Sequence, residues 1–343
     1  MMRRRETLAL VAGALSAAGG AHAAASSPAS APSRAKAAPL VEAGSWPTRA
    51  VRLVVGFPGG SSPDLTARTL AEPLSRALGQ PVVVENRVGA GGNIAADLVA
   101  KAGDDHTFGL MINGNMTIAR MLNPAVAYDP LKDLAPISLV GTAPLVLVTP
   151  AGTPGTTGRE LMDAARKAGN AWSYGSPGVG TVAHIGMELL KGKAGLDPVH
   201  VPYPGNPQVV NAMLGGQVQL ALLPPGIALP QVRAGKLKAL GVTSSGRSPL
   251  VPELASLDEQ GLTRGFQLEV WNAVAAPASV PPAVAARMSR LVSEIARSPE
   301  IRARLFQQGW QVAGSSAEGL ANRIQADTAL LGGVIRSRGI KAE

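Results

Sequence analysis

The sequence predicts an α/β fold of two domains, each a mostly parallel sheet flanked by helices. Short apolar strands alternate with helices along most of the chain, which is the pattern of parallel sheets with crossover helices. The alternation begins at Val51 and starts again after Thr149, and 343 residues are enough for two domains. Hydrophobic residues make up 46% of the chain and aromatic residues 3%, so we expect cores built from Ala, Val, Leu and Ile.

The first strand–helix unit predicts an anion site. The apolar run Val51–Val55 leads into a glycine loop over 56–61. A helix then opens, with Ser62 as the expected N-cap, Pro63 as its first residue and Asp64 in its first turn. Unpaired N–H groups and the positive end of the helix dipole converge in such a unit, which suits an anion. An ordinary turn between a strand and a helix is the alternative.

Later junctions between strands and helices have a similar composition. Further strands are expected at 81–86, 108–112, 136–140, 145–148, 172–174, 199–201, 218–223, 238–242 and 266–270. We expect the last of these to complete the second sheet. Small polar residues, glycine and proline occur at the junctions 89–93, 176–181 and 204–207. Because ligands bind at the carboxyl ends of strands in open α/β sheets, two such domains facing each other would form a cleft for a small anion.

The C-terminal part is predicted to be helical and to cover a sheet. Helices are expected at 282–297 and 300–308. A final helix is expected to open with a capping box formed by Ser315 and Glu318.

The N-terminus has the features of an export signal. Residues 1–23 combine the basic Arg3–Arg5 with a short apolar stretch and small residues ending at Ala23, where we expect cleavage. The general secretory route is favoured, and the twin-arginine route is the alternative. Residues 24–45 are rich in Ala, Ser and Pro and predict a flexible linker. The apolar stretch is too short to span a membrane, so we expect an exported, unanchored protein.

The composition excludes several functions. The chain has no cysteine, which excludes disulfides, thiolate metal sites and a cysteine nucleophile. The net charge is +9, but the basic residues are scattered, without a run and without interleaved aromatic residues. The sequence therefore predicts no nucleic-acid partner.

No catalytic or metal-binding constellation is recognisable in the sequence. Ser176 does not belong to a nucleophile elbow, because Tyr174 stands where that motif requires glycine. His106, His184 and His200 have no histidine partner three or four residues away, as a metal pair on a helix would require. We therefore predict no catalytic residue, no metal and no cofactor, and a cleft that binds its ligand without transforming it. A secreted enzyme on the same fold is the alternative.

A succession of motifs resembles one known family. In chain order these motifs are Gly56–Asp64, Gly79–Arg87, Gly89–Ala96, Tyr128–Pro130, Tyr174–Gly180, His200–Tyr203, Leu214–Val218, Ala234–Leu237, Val242–Ser244 and Arg247–Ser248. From about Trp46 to the C-terminus, the chain resembles the Bug-type extracytoplasmic solute receptors. These are the substrate-binding proteins of tripartite tricarboxylate transporters. No single motif is specific, but their order along the chain is.

The resemblance implies a periplasmic binding protein with a type II-like Venus-flytrap fold, in which the ligand lies between two domains joined by two crossing segments. Domain 1 would comprise residues 46–147 plus 272–343, and domain 2 residues 148–271. The ligand would be a small anionic metabolite, either a carboxylate or an aromatic acid. The expected partners are membrane permease subunits, or a signalling protein if the receptor is a sensor. The protein is expected to be a periplasmic monomer.

Carried over by motif, the resemblance implies ligand contacts from both domains. The expected contacts are Phe57, Pro58, Gly59, Gly60, Ser61 and Asp64 in domain 1, and Ser176, Val179, Gly180, Thr181 and His184 in domain 2, with Tyr203 and Gly205 nearby. A purely structural role is an open alternative for Asp64, as a helix-start acid, and for His184, as a helix-face histidine.

Two stretches depart from the family pattern. The loop 114–120 has Met116 and Ile118 and lacks the usual Thr-His pair, and Leu222–Pro225 replaces a common Asp-Asn pair. Both changes make the expected rim of the pocket more apolar. They disfavour an amino-acid ligand, whose ammonium group requires an acidic partner.

Overall fold

The computed structural model describes residues 46–341, except for the side chain of Arg338. The predicted signal peptide (1–23) and linker (24–45) lie outside the described residues. Across the described part, the chain forms two β-sheets, one of six strands and one of five, each flanked by helices. No helix in this part combines the length and apolar character needed to cross a membrane.

Eleven strands and eleven α-helices build the described part of the chain. The strands are β1 (Val51–Val55), β2 (Val82–Asn86), β3 (Thr107–Ile112), β4 (Leu134–Pro144), β5 (Val146–Pro150), β6 (Ser173–Ser176), β7 (Val199–Pro202), β8 (Leu220–Leu223), β9 (Leu237–Val242), β10 (Glu269–Pro277) and β11 (Gln311–Val312). The helices are α1 (Ser62–Leu78), α2 (Asn93–Ala100), α3 (Asn113–Thr117), α4 (Ala119–Leu122), α5 (Gly158–Ala168), α6 (Val182–Ala194), α7 (Asn206–Leu214), α8 (Pro225–Arg233), α9 (Pro282–Arg297), α10 (Pro299–Gln307) and α11 (Ala317–Arg338).

The first sheet has the strand order β11–β4–β10–β3–β1–β2. β1 is parallel to β2 and β3, whereas β10 is antiparallel to β3 and β4, and β11 is antiparallel to β4. Successive strand residues face opposite sides of the sheet. Leu53 and Val55 pack with α1 and α9, whereas Val54 packs with α2 and α11. Helices thus cover both faces, which explains why β1 and β3 are almost entirely apolar.

The second sheet has the strand order β7–β6–β8–β5–β9. β6 is parallel to β7 and β8, whereas β5 is antiparallel to β8 and β9. Leu147 and Leu222 pack with α5 and α6 on one face. Val146 and Val148 pack with α7 and α8 on the other.

The chain crosses between the sheets twice, and the two crossings are joined by hydrogen bonds. β4 continues through Leu145 into β5, and the segment after β9 returns through Leu268 into β10. The buried Thr243 hydroxyl accepts a hydrogen bond from the Leu145 N–H (2.8 Å) and donates one to the Leu268 carbonyl (2.7 Å). A single side chain thus connects both crossing segments.

The last helix contacts the cores on both sides of these crossings. Leu320 and Ile324 of α11 belong to the core of the first sheet. Leu331 and Ile335 belong to the core that contains α5 and α6 of the second sheet, and α11 packs against α6. The assignment of 272–343 to domain 1 stays a prediction, and the end of α11 packs against the helix α6.

The predicted fold class, α/β with two domains, is confirmed, but the sheets are mixed rather than mostly parallel. Two of the four pairings in the second sheet are antiparallel, because β5 enters that sheet directly from β4. The prediction that 266–270 completes the second sheet is wrong: β10 begins at Glu269 and lies between β3 and β4 in the first sheet. An apolar run identifies a strand but not its partners.

Two helix starts differ from the prediction by one residue. The N-cap of α1 is Ser61 rather than Ser62, and its side chain makes no capping hydrogen bond. The N-cap of α11 is Ser316, whose Oγ accepts the Gly319 N–H (3.1 Å). Ser315 instead accepts the Leu139 N–H of β4 (3.0 Å), so the predicted capping box is not formed.

Candidate ligand-binding cleft

The loop from β1 to α1 forms one wall of a cleft between the domains. Gly60 has a φ of 78°, a left-handed conformation that glycine adopts without strain. Its N–H donates to Asp64 Oδ2 at 2.9 Å. Asn86, at the end of β2, donates to the Phe57 carbonyl (2.8 Å) and to Asp64 Oδ1 (2.9 Å). The loop is therefore held in shape by hydrogen bonds within its own domain.

Asp64 supports this loop. It is 1% exposed, and its carboxylate also accepts a hydrogen bond from Arg68 Nε at 3.0 Å. Burial would raise the pKa of Asp64, but the hydrogen bonds from Arg68, Asn86 and the Gly60 N–H outweigh it and hold the pKa below its usual value. Of the two roles open to Asp64, the geometry supports the structural one.

The turn from β6 to α6 forms the facing wall. Thr181 is the N-cap of α6, and its hydroxyl accepts the His184 N–H (3.4 Å) and donates to the Gly178 carbonyl (2.8 Å). The fully buried Ser176 hydroxyl lies 3.2 Å from the Gly178 carbonyl and 2.7 Å from His200 Nε2. Like the first wall, this turn is fixed by bonds within its own domain.

Three stacked rings support the second wall. The ring centroids of Tyr174 and His200 are 4.8 Å apart, and those of His184 and His200 are 4.2 Å apart. Burial, together with the neighbouring His184 and Lys191, lowers the pKa of His200 to about 3, so this imidazole is neutral near pH 7. His184 Nδ1 accepts the Gly180 N–H at 3.3 Å, which gives His184 a structural role in the turn.

The two walls approach each other most closely where glycine is present. A side chain at Gly91 would collide with the carbonyl oxygen of Val179, and one at Gly114 with that of Gly180. Glycine therefore lets backbone from the first domain approach backbone from the second.

Two other glycines bring the domains together in the same way. A Cβ atom at Gly205 would lie 2.8 Å from the ring of Pro58, and one at Gly226 would collide with the Gln308 carbonyl. With contacts at several places between the domains, the structure is that of a closed cleft.

A cavity of about 40 Å³ lies between the walls, and the first residues of α1, α6 and α7 border it. Helix N-termini carry unpaired N–H groups and a partial positive charge. The bordering residues are Phe57, Ser61, Ser62, Pro63, Ile112, Leu145, Pro177, Thr181, Val182, Ala183, Asn206, Pro224, Val270, Asn272 and Trp310. None of these described side chains is charged, so the polarity of the cavity comes from backbone, hydroxyl, amide and indole groups.

Four side chains that border the cavity have a buried polar atom without a hydrogen-bond partner in the described structure. These atoms are Ser61 Oγ, Asn206 Oδ1, Asn272 Oδ1 and Trp310 Nε1. Buried polar atoms are almost always paired, since an unpaired one costs free energy. Four of them around one cavity indicate a place where a ligand supplies the missing partners.

A larger opening of about 480 Å³ lies between the same two domains. It is bordered by the glycine turn Gly89–Gly91 and by Asn115 of the first domain, and by Gly178–Gly180 and Tyr203 of the second. It differs from the cavity in that glycine residues of both domains border it.

The thirteen predicted contacts fall into three groups. Phe57, Ser61 and Thr181 border the cavity. Val179, Gly180 and Tyr203 border the larger opening. The other predicted residues border neither space: Pro58, Gly59, Gly60, Asp64, Ser176, His184 and Gly205. A contact with a ligand stays a prediction for each of the thirteen.

The sequence analysis missed four polar residues of the cavity as contacts, namely Ser62, Asn206, Asn272 and Trp310. Asn206 is the first residue of α7, whose N-cap is Gly205. Asn272 had a usable signal, because it is a polar residue inside an otherwise apolar strand. Trp310 had no such signal, since nothing in the sequence shows that this residue, which lies after α10, is close to the β1–α1 loop.

Two α/β domains closed on a cavity at their helix N-termini define a class, the periplasmic binding proteins. Within this class, residues 66–340 match the family described as the tripartite tricarboxylate transporter family receptor. The chain belongs to this family, and the resemblance found in its motifs is confirmed. The family consists of solute-binding receptors that work with the membrane subunits of a transporter.

Solved structures of related proteins share the fold over nearly their whole length. The periplasmic binding protein BugD is 30% identical, with a TM-score of 0.82, and the match covers 87% of this chain and 100% of BugD. An R. palustris protein with adipate is 30% identical, with a TM-score of 0.83 and coverages of 86% and 99%. MatC from Rhodopseudomonas palustris with bound malate is 31% identical, with a TM-score of 0.80 and coverages of 84% and 100%.

Proposed function

We propose that this receptor captures a small carboxylate or aromatic acid in the cavity between its domains and presents it to the membrane subunits of a tripartite tricarboxylate transporter. The observation that carries the proposal is the meeting of three helix N-termini at a cavity bordered by four unpaired polar atoms. Backbone N–H groups at helix N-termini are good donors to carboxylate oxygens. Two related receptors were solved with the carboxylates adipate and malate, which supports this ligand class.

A ligand in this cavity would stabilise the closed arrangement. Ser61 approaches the cavity from the first domain, and Thr181 and Asn206 approach it from the second. Only in the closed arrangement do all three surround the same point, so a ligand that contacts them shifts the population towards closure. The closed form is then the one that the membrane subunits recognise.

The boundaries of the two domains also remain a proposal. We place domain 1 at 46–147 plus 272–343 and domain 2 at 148–271, with the end of α11 packed against domain 2. The crossings at Leu145 and Leu268 support these boundaries to within a few residues. We further propose that the mature chain begins after Ala23, resides in the periplasm and is a monomer.

The Ser176–His200 pair bears on the alternative of an enzyme. A serine hydroxyl 2.7 Å from an imidazole nitrogen is the arrangement that activates a nucleophile. Ser176 is fully buried, however, and its hydroxyl also bonds to the Gly178 carbonyl. A substrate in the cavity would not reach it. The pair supports a wall of the receptor, and we propose that the protein has no catalytic role.

A thermal-shift screen tests the proposed function. The mature protein is heated with mono- and dicarboxylates, aromatic acids and neutral amides, each at a saturating concentration. A ligand present at about 100 times its Kd stabilises the folded state by about 2.7 kcal/mol, which is readily detected. The proposal predicts stabilisation by at least one carboxylate and by no uncharged amide analogue of it. Turnover of a compound that does not stabilise the protein would contradict it.

A further inference from the structure

The unpaired polar atoms of the cavity define the chemistry of the ligand more closely. We infer that the cavity binds a compact monocarboxylate that also carries a neutral hydrogen-bond donor, either a hydroxyl or an amide N–H. This inference rests on the proposed receptor function and names the ligand class of the same site.

Two of the unpaired groups are donors. The Ser61 hydroxyl is buried at the start of α1 and has no partner in the described structure. The Trp310 side chain is 2% exposed, its Nε1–H is also unpaired, and an indole nitrogen is only ever a donor. Together with the first N–H groups of α1 and α6, these donors match the oxygens of one carboxylate.

The orientation of Asn272 makes its unpaired atom an acceptor. The Thr66 hydroxyl donates its single hydrogen to the Ser62 carbonyl at 3.0 Å. Thr66 Oγ1 lies 2.9 Å from the Asn272 amide, so Thr66 must accept there and the amide must donate. The NH₂ group of Asn272 therefore faces Thr66, and its Oδ1 is left without a partner.

A second acceptor lies on the opposite domain. Asn206 at the start of α7 directs its NH₂ group to Ser62 Oγ, 3.5 Å away, and leaves its Oδ1 unpaired. These two unpaired amide oxygens belong to side chains that border the cavity, and both would repel a second carboxylate. Among residues 46–341, no acidic side chain borders the cavity to neutralise an ammonium group. A neutral donor satisfies both acceptors.

The size of the cavity favours a compact ligand. The cavity, about 40 Å³ in the closed form, is larger than one water molecule requires but small for a long chain. A chain as long as that of adipate would hold the domains further apart.

Calorimetric titration of the mature protein with matched acids tests the inference. Lactate is propionate with a hydroxyl group added, and succinate is propionate with a second carboxylate added and no neutral donor. We expect lactate to bind at least tenfold more tightly than either of the others, because a site with unpaired acceptors rejects analogues that lack the donor. Equal or tighter binding of propionate or succinate would overturn the inference. Failure of all three acids to bind would also overturn the inference. In that case, stabilisation of the protein by a longer carboxylate would still support the proposed receptor function.

Substitutions of the cavity residues test which side chains produce this preference for lactate. Asn272→Leu removes the acceptor at similar volume, and we expect the lactate-to-propionate ratio of affinities to fall close to one. Trp310→Phe removes the indole donor and should weaken the binding of both acids. Trp271→Phe is the matched control, because Trp271 Nε1 donates to Asp327 at 2.6 Å and does not border the cavity. An unchanged ratio in folded Asn272→Leu, or equal losses of affinity in the two tryptophan variants, would contradict the assignment.

Discussion

The shape of the cavity depends on side chains that do not face it. Asp64 and Asn86 bind the β1–α1 loop from behind, and Ser176 and His200 hold the β6–α6 turn. Each of these side chains is hydrogen bonded within its own domain. The atoms left unpaired, such as Ser61 Oγ, therefore keep fixed positions in the absence of a ligand, which reduces the entropy lost on binding.

The carboxylate of Asp64 contributes to stability in its charged form. We expect Asp64→Asn to lower the free energy of unfolding by roughly 2 kcal/mol at pH 7, because hydrogen bonds to a buried charge are lost. The pKa of Asp64 is depressed in the folded state, so this contribution is present above the unfolded pKa and is lost as the pH falls through the folded value. Urea denaturation at pH 7 and at pH 3 measures both effects.

An exposed carboxylate provides the control for Asp64. Glu72 forms a surface pair with Arg76 one turn away, so Glu72→Gln should change stability by less than about 0.5 kcal/mol. A similar effect of Glu72→Gln and Asp64→Asn at pH 7 would contradict the supporting role of Asp64.

The free energy of unfolding also depends on pH through His200, over a pH range different from that of Asp64. Its folded pKa of about 3 lies below its ordinary value of 6.5, so the unfolded chain binds a proton that the folded chain does not. Stability is fully present above pH 6.5 and falls as the pH is lowered towards 3. We expect His200→Gln to reduce this slope, measured by thermal melting across the same range. A slope that is unchanged would contradict burial of a neutral His200.

For single residues, the sequence could indicate which residue types form the site but not which side chains they bond to. The loop with Gly60 was recognisable because a glycine turn between a strand and a helix is a local property. The roles of Asn272 and Trp310 were not, since an atom becomes unpaired only through the arrangement of side chains distant in sequence. Asn272 bonds to Thr66, 206 positions away.

Among the elements, the short helix α3 brings the first domain against the turn that precedes α6. Gly114 of α3 has no room for a side chain, because a methyl group would meet the Gly180 carbonyl. In an open cleft that carbonyl would have moved away. The glycine is therefore required by closure rather than by the fold of its own domain.

Substitution of Gly114 separates closure from folding. We expect Gly114→Ala to weaken ligand binding by at least tenfold, about 1.4 kcal/mol, while the melting temperature without ligand changes little. Gly333→Ala is the matched control, because Gly333 is also helical and a Cβ there meets no atom within 4 Å. It should leave affinity unchanged and raise stability slightly. Normal ligand affinity in Gly114→Ala would show that the closed arrangement is not the binding form.

Elements with strong local signals were predicted well. The helices expected at 282–297 and 300–308 correspond to α9 (Pro282–Arg297) and α10 (Pro299–Gln307). β10 was assigned to the wrong sheet, because its apolar residues suit the core of either domain. The two-residue strand β11 was not predicted, since so short a strand has no periodicity and exists only through its pairing with β4.

For the whole molecule, the paired crossings determine how the domains are connected. Both crossing segments bond to the Thr243 hydroxyl, and the Thr243 backbone N–H also donates to the Leu145 carbonyl at 2.9 Å. Domain rotation about these segments is thereby restricted to bending, without separation of the two segments.

Removal of the Thr243 hydroxyl tests this connection. Thr243→Val keeps the shape of the side chain but leaves a buried N–H and a buried carbonyl without that partner, so we expect a loss of about 1–3 kcal/mol in the free energy of unfolding. Thr328→Val is the control, since the Thr328 hydroxyl donates to the Ile324 carbonyl of its own helix (2.7 Å). Equal stability of the two variants in urea titrations would contradict the role of Thr243.

The helix α11 contacts both cores and therefore affects the equilibrium between the open and the closed cleft. Its 22 residues form a rod about 33 Å long, anchored in one core by Leu320 and in the other by Leu331. Opening the cleft strains or shifts the second anchor, so the fraction of closed molecules is partly determined by apolar contacts that the solute never touches. The apparent dissociation constant is the intrinsic one divided by that fraction. Substitutions at Leu331 or Ile335 therefore change how tightly the receptor holds every solute, while the cavity continues to decide which solute is held.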